Sequence, residues 1–195
     1  MESLRAALLV LFLCGITTHF STGLTIYKDV ISGDEMLSDT FKMRHIHPGI
    51  LYEVEGSEGK PVVKGGSTIE DYLMMEDADP ADNPDTDSVA IGVDIVLNHN
   101  LQETSFTKEQ YTDYVKGYVR RIKKHLEEVN PDRVDAFLKD YPSVIKKILS
   151  NFKNWQFFIG RSKNKEGMVA LLDWRQDGRA PYMLFFKDGL EEEKA

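Results

Sequence analysis

From Thr107 to Phe152 the chain is patterned so strongly that two helices folded back on each other are its natural outcome. The run Thr107-Lys-Glu-Gln110 has the form of a capping box, in which the Thr hydroxyl accepts an orphan amide and the Gln side chain reaches back. Behind it Tyr111, Val115, Tyr118, Ile122, Leu126 and Val129 recur at steps of four and three, one apolar face of a helix of about six turns. Asn130-Pro131 ends that helix and opens another, with Pro131 at a first-turn position where its missing amide costs nothing. Val134, Phe137, Leu138, Ile145, Ile148, Leu149 and Phe152 carry the second apolar face. Pro142 is expected to kink or divide that helix, because it removes a hydrogen bond and crowds the preceding turn. So short a connection makes the helices antiparallel, a hairpin over 107–152.

Both flanks read as strands. Segments 24–28, 41–45 and 51–54 alternate apolar and polar residues, and Asp34, Pro48-Gly49 and the stretch 56–59 supply turn chemistry between them. After the hairpin, 155–159, 168–174 and 181–187 form three more runs, with turns at 164–167 and 177–178, the pattern of an antiparallel meander. Strands, hairpin, strands is an α+β order and not a parallel βαβ alternation. Between them, 65–87 contains the stretch MMEDADPADNPDTD, rich in carboxylates and poor in aliphatics, which reads as a mobile acidic loop. The segment 89–97 (VAIGVDIVL) reads as a buried strand. With 42% hydrophobic residues the chain can supply a core without disulfides or metals.

The first 23 residues differ from the rest. Residues 6–16 (AALLVLFLCGI) match the length of a signal-peptide core and are too short for a hydrocarbon layer of ~30 Å. Ser21-Thr22-Gly23 places small residues for cleavage after Gly23, so the expectation is a signal peptide at 1–23 and a domain at 24–195. Glu2 offsets Arg5 in front of the apolar run, which leaves open an uncleaved anchor or a leader from an unusual gene model. The single cysteine, Cys14, lies in this segment, so a chain beginning at Leu24 has no disulfide, thiolate metal site or cysteine nucleophile.

Catalytic motifs are missing. Gly65-Gly-Ser-Thr68 lacks the lysine and spacing of a phosphate loop, and neither GxGxxG nor GxSxG occurs. His45 and His47 share a strand face, but spacing supplies no third ligand, and surface or turn histidines are the plainer reading. A net charge of −8 opposes generic nucleic-acid binding. Asp77, Asp79 and Asp82, with Asp85 and Asp87, offer hard oxygen donors for weak, millimolar-range calcium. Their spacing is not that of an EF-hand, and a solvated, self-repelling loop is the simpler account. The hairpin has the opposite sign: Arg120, Arg121, Lys123 and Lys124 crowd the first helix, and Lys146, Lys147 and Lys153 lie on or after the second. Cations near helix C-termini are favourable for the dipole alone; the functional reading is a face for acidic partners.

Several stretches are more specific than any of this. IYKDVISGDEM at 26–36, GVDIVLN at 92–98, LQETSFTK at 101–108, NFKNWQFFIG at 151–160, GMVALLD at 167–173 and YMLFFKDGL at 182–190 resemble the translationally controlled tumour protein family. The resemblance runs from Leu24 to the C-terminus. It implies a twisted, mostly antiparallel β-tent sheet with a protruding helical hairpin and a long mobile acidic loop. It also implies a non-enzymatic binding protein that requires no cofactor. Family properties are calcium and microtubule binding, contacts with small GTPases and elongation factors, and a role in cell survival. Some members act outside cells as histamine-releasing factors on a receptor or immunoglobulin. By resemblance Glu35 is the GTPase-contact residue, the segment from Gln102 through the first helix is microtubule-associated, and Gln156 joins the acidic loop in holding calcium. The loop itself departs from the family, with Met74 and Ala78 where an asparagine and a glutamate are usual. Arg161 replaces a usual glutamate, and Ala195 stands where many members end in cysteine. The expected location is extracellular if the 1–23 leader is used and cytoplasmic, the family default, if not. In neither case does the mature chain span a membrane.

Overall fold

The computed structural model describes residues 23–47, 49–63, 89–175, 178 and 180–194. The acidic stretch 65–87 and the apolar segment 6–16 lie outside them. Five strands come first: β1 (Thr25–Asp29), β2 (Glu35–Ser38), β3 (Lys42–Ile46), β4 (Leu51–Glu55) and β5 (Glu58–Val63). Then follow β6 (Val89–Val93), a short helix α1 (Asp94–Asn98) and β7 (Gln102–Thr104). The hairpin is α2 (Lys108–Val129) and α3 (Pro131–Ser150), and after it come β8 (Gln156–Ile159), β9 (Val169–Trp174), β10 (Pro181–Phe186) and β11 (Leu190–Lys194).

Every strand pair is antiparallel, in a six-stranded sheet ordered β3-β4-β10-β9-β8-β7, a three-stranded sheet β11-β1-β2 and the pair β5-β6. The meander expected after the hairpin is β8-β9-β10. Strands β9 and β10 are buried along most of their length, which is why they read as apolar runs; β4 is buried at four of its five positions although its sequence alternates, and no residue of the edge strand β3 is buried. Pairing of β5 with β6 sets Val63 opposite Val89, the described residues on either side of the acidic stretch.

The capping box forms as expected: Gln110 N donates to Thr107 Oγ1 (3.2 Å) and Thr107 N to Gln110 Oε1 (2.8 Å). Tyr111, Val115, Tyr118, Ile122 and Leu126 are buried, but Val129, the last residue of α2, is 62% exposed. Tyr111 packs on Phe157 (5.2 Å between ring centroids) and Tyr118 on Phe186 (5.7 Å), seating α2 on the six-stranded sheet. Arg133 holds the start of α3 with a two-pronged bond to Asp188 (2.8 and 2.9 Å) and a third to the Gly49 carbonyl (3.1 Å).

Two expectations are corrected. The segment 89–97 is not one strand: it leaves the ladder at Val93 and turns into α1. The Asp94 carboxylate accepts from Ser57 N (3.0 Å) and Ile95 N (2.8 Å), which fixes a helical turn where the hydrophobic run predicts extension. Pro142 does not divide the second helix, and α3 is continuous through it. Its ring is exposed, so the Leu138 carbonyl it leaves unbonded can be met by water.

Two of the specific sequence stretches meet around Asp29. Its fully buried carboxylate accepts from Ser32 Oγ (2.6 Å), Ser32 N (3.0 Å) and Met168 N (3.0 Å), joining the β1–β2 turn to the start of β9. A side chain at Gly167 would come within 2.6 Å of Asp29 Oδ2, so only glycine leaves room for the joint.

Candidate functional site

A concave surface distinct from the core lies between the two long helices. It is a trough of about 820 Å³. Helix α2 gives it Lys108, Thr112, Lys116, Arg120 and Lys123, whose four- and three-residue spacing places them along one stripe beside the core face. From Lys108 to Lys123 that stripe is ~22 Å long at the helical rise. Helix α3 gives Leu138, Tyr141, Ile145 and Leu149, all half-buried, with Pro142 and Lys146 at the edge. The result is an apolar floor with five cationic side chains and no carboxylate among its lining residues.

The rim is adjustable. Lys116 pairs with Asp113 and Lys123 with Glu127, each at 3.0 Å, but these are exposed pairs worth ~0.3–0.5 kcal/mol and exchange readily for an external anion. Arg120 and Lys146 have no carboxylate partner among the described residues. Arg120 is steadied by its own helix, donating from Nε to the Lys116 carbonyl (3.1 Å).

The cationic cluster expected from sequence is therefore split. Arg120 and Lys123 line the trough. Arg121 turns away and donates from Nε (3.1 Å) and Nη2 (2.8 Å) to the Glu166 carbonyl, tying α2 to the turn before β9. Lys124 is exposed but does not line the trough. Lys108 and Lys116 complete the stripe and were absent from the sequence-based cluster, although the series 108, 112, 116, 120 is a visible helical repeat.

The other candidates do not converge. Asp77, Asp79 and Asp82 lie outside the described residues, while Gln156 opens β8 with an exposed side chain. Among the described residues no group of three His, Cys, Asp or Glu is placed to hold a metal. Glu35 opens β2, exposed and opposite Lys28. His45 and His47 part company: His45 packs edge-on against Tyr52 (4.8 Å), and His47 Nδ1 lies 3.0 Å from Lys147 Nζ. No helix among the described residues is long and apolar enough to cross a membrane.

A helical hairpin standing on a largely antiparallel, twisted sheet, with its long axis open as a basic trough, is the architecture of a β-tent protein. The fission-yeast (Schizosaccharomyces pombe) translationally controlled tumor-associated protein has this fold, with a TM-score of 0.70 and 41% identity over 88% of this chain and 99% of the yeast one. The Caenorhabditis elegans translationally-controlled tumor protein also matches, with a TM-score of 0.61 and 30% identity over 88% and 98% of the two chains. The human translationally-controlled tumor protein is 54% identical over 173 residues, covering 87% of this chain and 98% of its own. The Lateolabrax japonicus homolog is 54% identical over 171 residues, with the same coverage. The family model for translationally controlled tumour protein matches residues 24–191, and the chain belongs to that family.

Proposed function

We propose that the protein is a non-enzymatic binding factor that docks an acidic partner protein along the trough of its helical hairpin. The observation behind this reading is the trough's composition: an apolar floor, five cations and no carboxylate in the lining. Apolar area supplies affinity, while unopposed cations steer and orient an acidic surface. An elongated trough suits an extended or helical acidic segment better than a compact ligand. Tubulin, implied by the family resemblance, is the partner we assign first. Microtubule co-sedimentation tests it. Reversing Lys116, Arg120 and Lys123 to Glu together should weaken pelleting at least tenfold, whereas Lys124→Glu should change it less than twofold. If Lys124→Glu costs as much as the trough variant, binding follows diffuse charge and the trough is not the site.

The apolar segment 6–16, in front of the matched span 24–191, supports a second reading, in which the domain is exported and meets an extracellular receptor or immunoglobulin. N-terminal sequencing of protein recovered from expressing cells tests this. A secreted product beginning at Leu24 supports export, and a cell-retained product beginning at Met1 returns the protein to a cytoplasmic role with tubulin, small GTPases or elongation factors.

A further inference from the structure

Helix α3 has a second working face. Leu138, Tyr141, Ile145 and Leu149 line the trough, while Val144, Lys147 and Ile148, with Asn151 just past the helix end, meet residues of β3, β4 and β10. There they enclose a separate cavity of about 230 Å³. It is lined by the buried Leu51, Leu184 and Ile148, by Trp155 and Tyr182, whose rings meet edge-on (6.1 Å between centroids), and by the exposed Lys147 and half-exposed His47 at its mouth.

The polar groups around this cavity are almost all matched internally. Glu53 in the wall is 6% exposed and already bound by both Arg44 and Arg175. Tyr182 donates to Asp173 Oδ2 (3.3 Å), and the Arg175 guanidinium lies over its ring (4.4 Å to the centroid). Asn151 donates to the same Asp173 oxygen (3.3 Å), and the Trp155 indole N–H donates to the Ile148 carbonyl (3.2 Å). Two donors remain. Lys147 directs Nζ at His47 Nδ1 (3.0 Å), which requires a neutral imidazole with its proton on Nε2. The other ammonium protons and that Nε2–H have no acceptor among the described residues.

We propose that this cavity binds a small monocarboxylic acid with one flat ring. The ring lies on the aliphatic floor beside the Trp155–Tyr182 pair, whose own rings meet edge-on at 6.1 Å between centroids, and the carboxylate bridges Lys147 and His47. The volume falls below the ~300–1,000 Å³ of sites for drug-sized ligands, so the site takes a single-ring compound. Glu53 cannot supply the missing anion because two guanidiniums already hold it. His47 sits at a φ of 49°, in the left-handed region, one residue past the end of β3. The groups facing His47 are Lys147 from α3 and Glu53 from β4; burial and Lys147 lower its pKa, and Glu53 opposes them. A bound carboxylate adds a negative charge there, so binding raises the His47 titration midpoint and tightens as pH falls through it. This site is distinct from the trough, and its test does not depend on the trough's partner.

The same chemistry could come from a free acid or from the C-terminus of a partner peptide; the cavity's size assigns it to the free acid. The experiment is a ¹H–¹³C and ¹H–¹⁵N titration of the full chain with phenylacetate, phenylacetamide, and a short peptide ending in a free Phe carboxylate. We expect saturable shifts of the Trp155 indole and His47 ring with phenylacetate, a rise in the His47 midpoint, and at least tenfold weaker binding of phenylacetamide. Lys147→Met and His47→Gln, both at the mouth and outside the core, should each weaken phenylacetate at least fivefold. Equal binding of acid and amide, no saturation at millimolar phenylacetate, or unchanged affinity in Lys147→Met would overturn the proposal. Binding of the peptide alone would overturn the free-acid assignment.

Discussion

Gly189 lies in the tight turn between β10 and β11, under the middle of α2, and its contacts make a sharp prediction. A methyl added there would fall on the Tyr118 hydroxyl, well inside van der Waals contact, and within 2.8 Å of Met168 Cε. Met168 can flex, but Tyr118 is 1% exposed and fixed between Tyr114 and Phe186, with ring centroids at 5.7 Å on both sides. Gly189→Ala should therefore cost about 2 kcal/mol, within the usual range of over-packing. In a domain of this size that lowers Tm by roughly 4–8 °C. The same hydroxyl is buried without a hydrogen-bond partner among the described residues, so Tyr118→Phe removes an unsatisfied polar atom and should be neutral or stabilising. It also removes the main clash: the next Tyr118 atom, Cζ, lies 3.2 Å from the added methyl. Urea unfolding of both single variants and the double variant closes the cycle. Gly189→Ala should cost at least ~1 kcal/mol less in a chain already carrying Tyr118→Phe than in the wild-type one. Equal costs in the two backgrounds would refute the reasoning.

Other perturbations test other parts of the fold. Asp29→Ala should destabilise by about 3 kcal/mol, because several buried donors lose a charged acceptor at once, and urea unfolding should show it. Pro142→Ala should stabilise by about 1–3 kcal/mol, since an exposed position in a continuous helix regains its bond to the Leu138 carbonyl; thermal unfolding measures it. His99 packs against Phe41 (5.9 Å between ring centroids), with both ring nitrogens unpartnered among the described residues and its pKa lowered mainly by burial. A lowered folded-state pKa means the unfolded chain binds the proton more readily, so stability is full above the ordinary histidine value of ~6.5 and falls as pH drops through and below it. His47, also lowered, adds with the same sign. The drop in urea midpoint between pH 7.5 and pH 5 should shrink in His99→Leu; an unchanged drop would remove His99 from the account.

The parts of the molecule legible in sequence are those where one local pattern decides the outcome. The capping box, the face from Tyr111 to Leu126 and the Asn130-Pro131 junction fixed the hairpin because helix periodicity and cap chemistry need no distant partner. The meander was legible because β9 and β10 are buried on both faces and bounded by turn residues. Strands β2, β5, β7 and β11 were missed: β2 and β7 are only three or four residues long, and β5 and β11 have little strand pattern of their own until β6 and β1 pair with them. The end of β6 was misread because α1 depends on Ser57, distant in sequence, meeting Asp94. The same reason split the cationic cluster, since Arg121 is drawn away by a carbonyl at Glu166 that no local rule connects to it.

Helix α3 explains why the two sites stay separate in one hairpin. Its apolar residues exceed what the sheet can cover: Val144 and Ile148 are buried, while Leu138, Ile145 and Leu149 are only half covered. A helix that packed only on a sheet would place polar residues at those three positions. Their persistence on the side facing α2 leaves the trough floor apolar, and Lys108, Lys116, Arg120, Lys123 and Lys146 keep it hydrated when empty. The cations thus act in two ways, keeping an apolar seam soluble and selecting against any basic occupant. Replacing the rim with neutral residues should therefore weaken acidic partners and promote self-association together, a pairing that loss of charge attraction alone does not produce. Analytical ultracentrifugation of a Lys116→Ser, Arg120→Ser, Lys123→Ser variant beside its co-sedimentation assay separates the two, and a strictly monomeric variant that binds weakly would confine the rim to attraction.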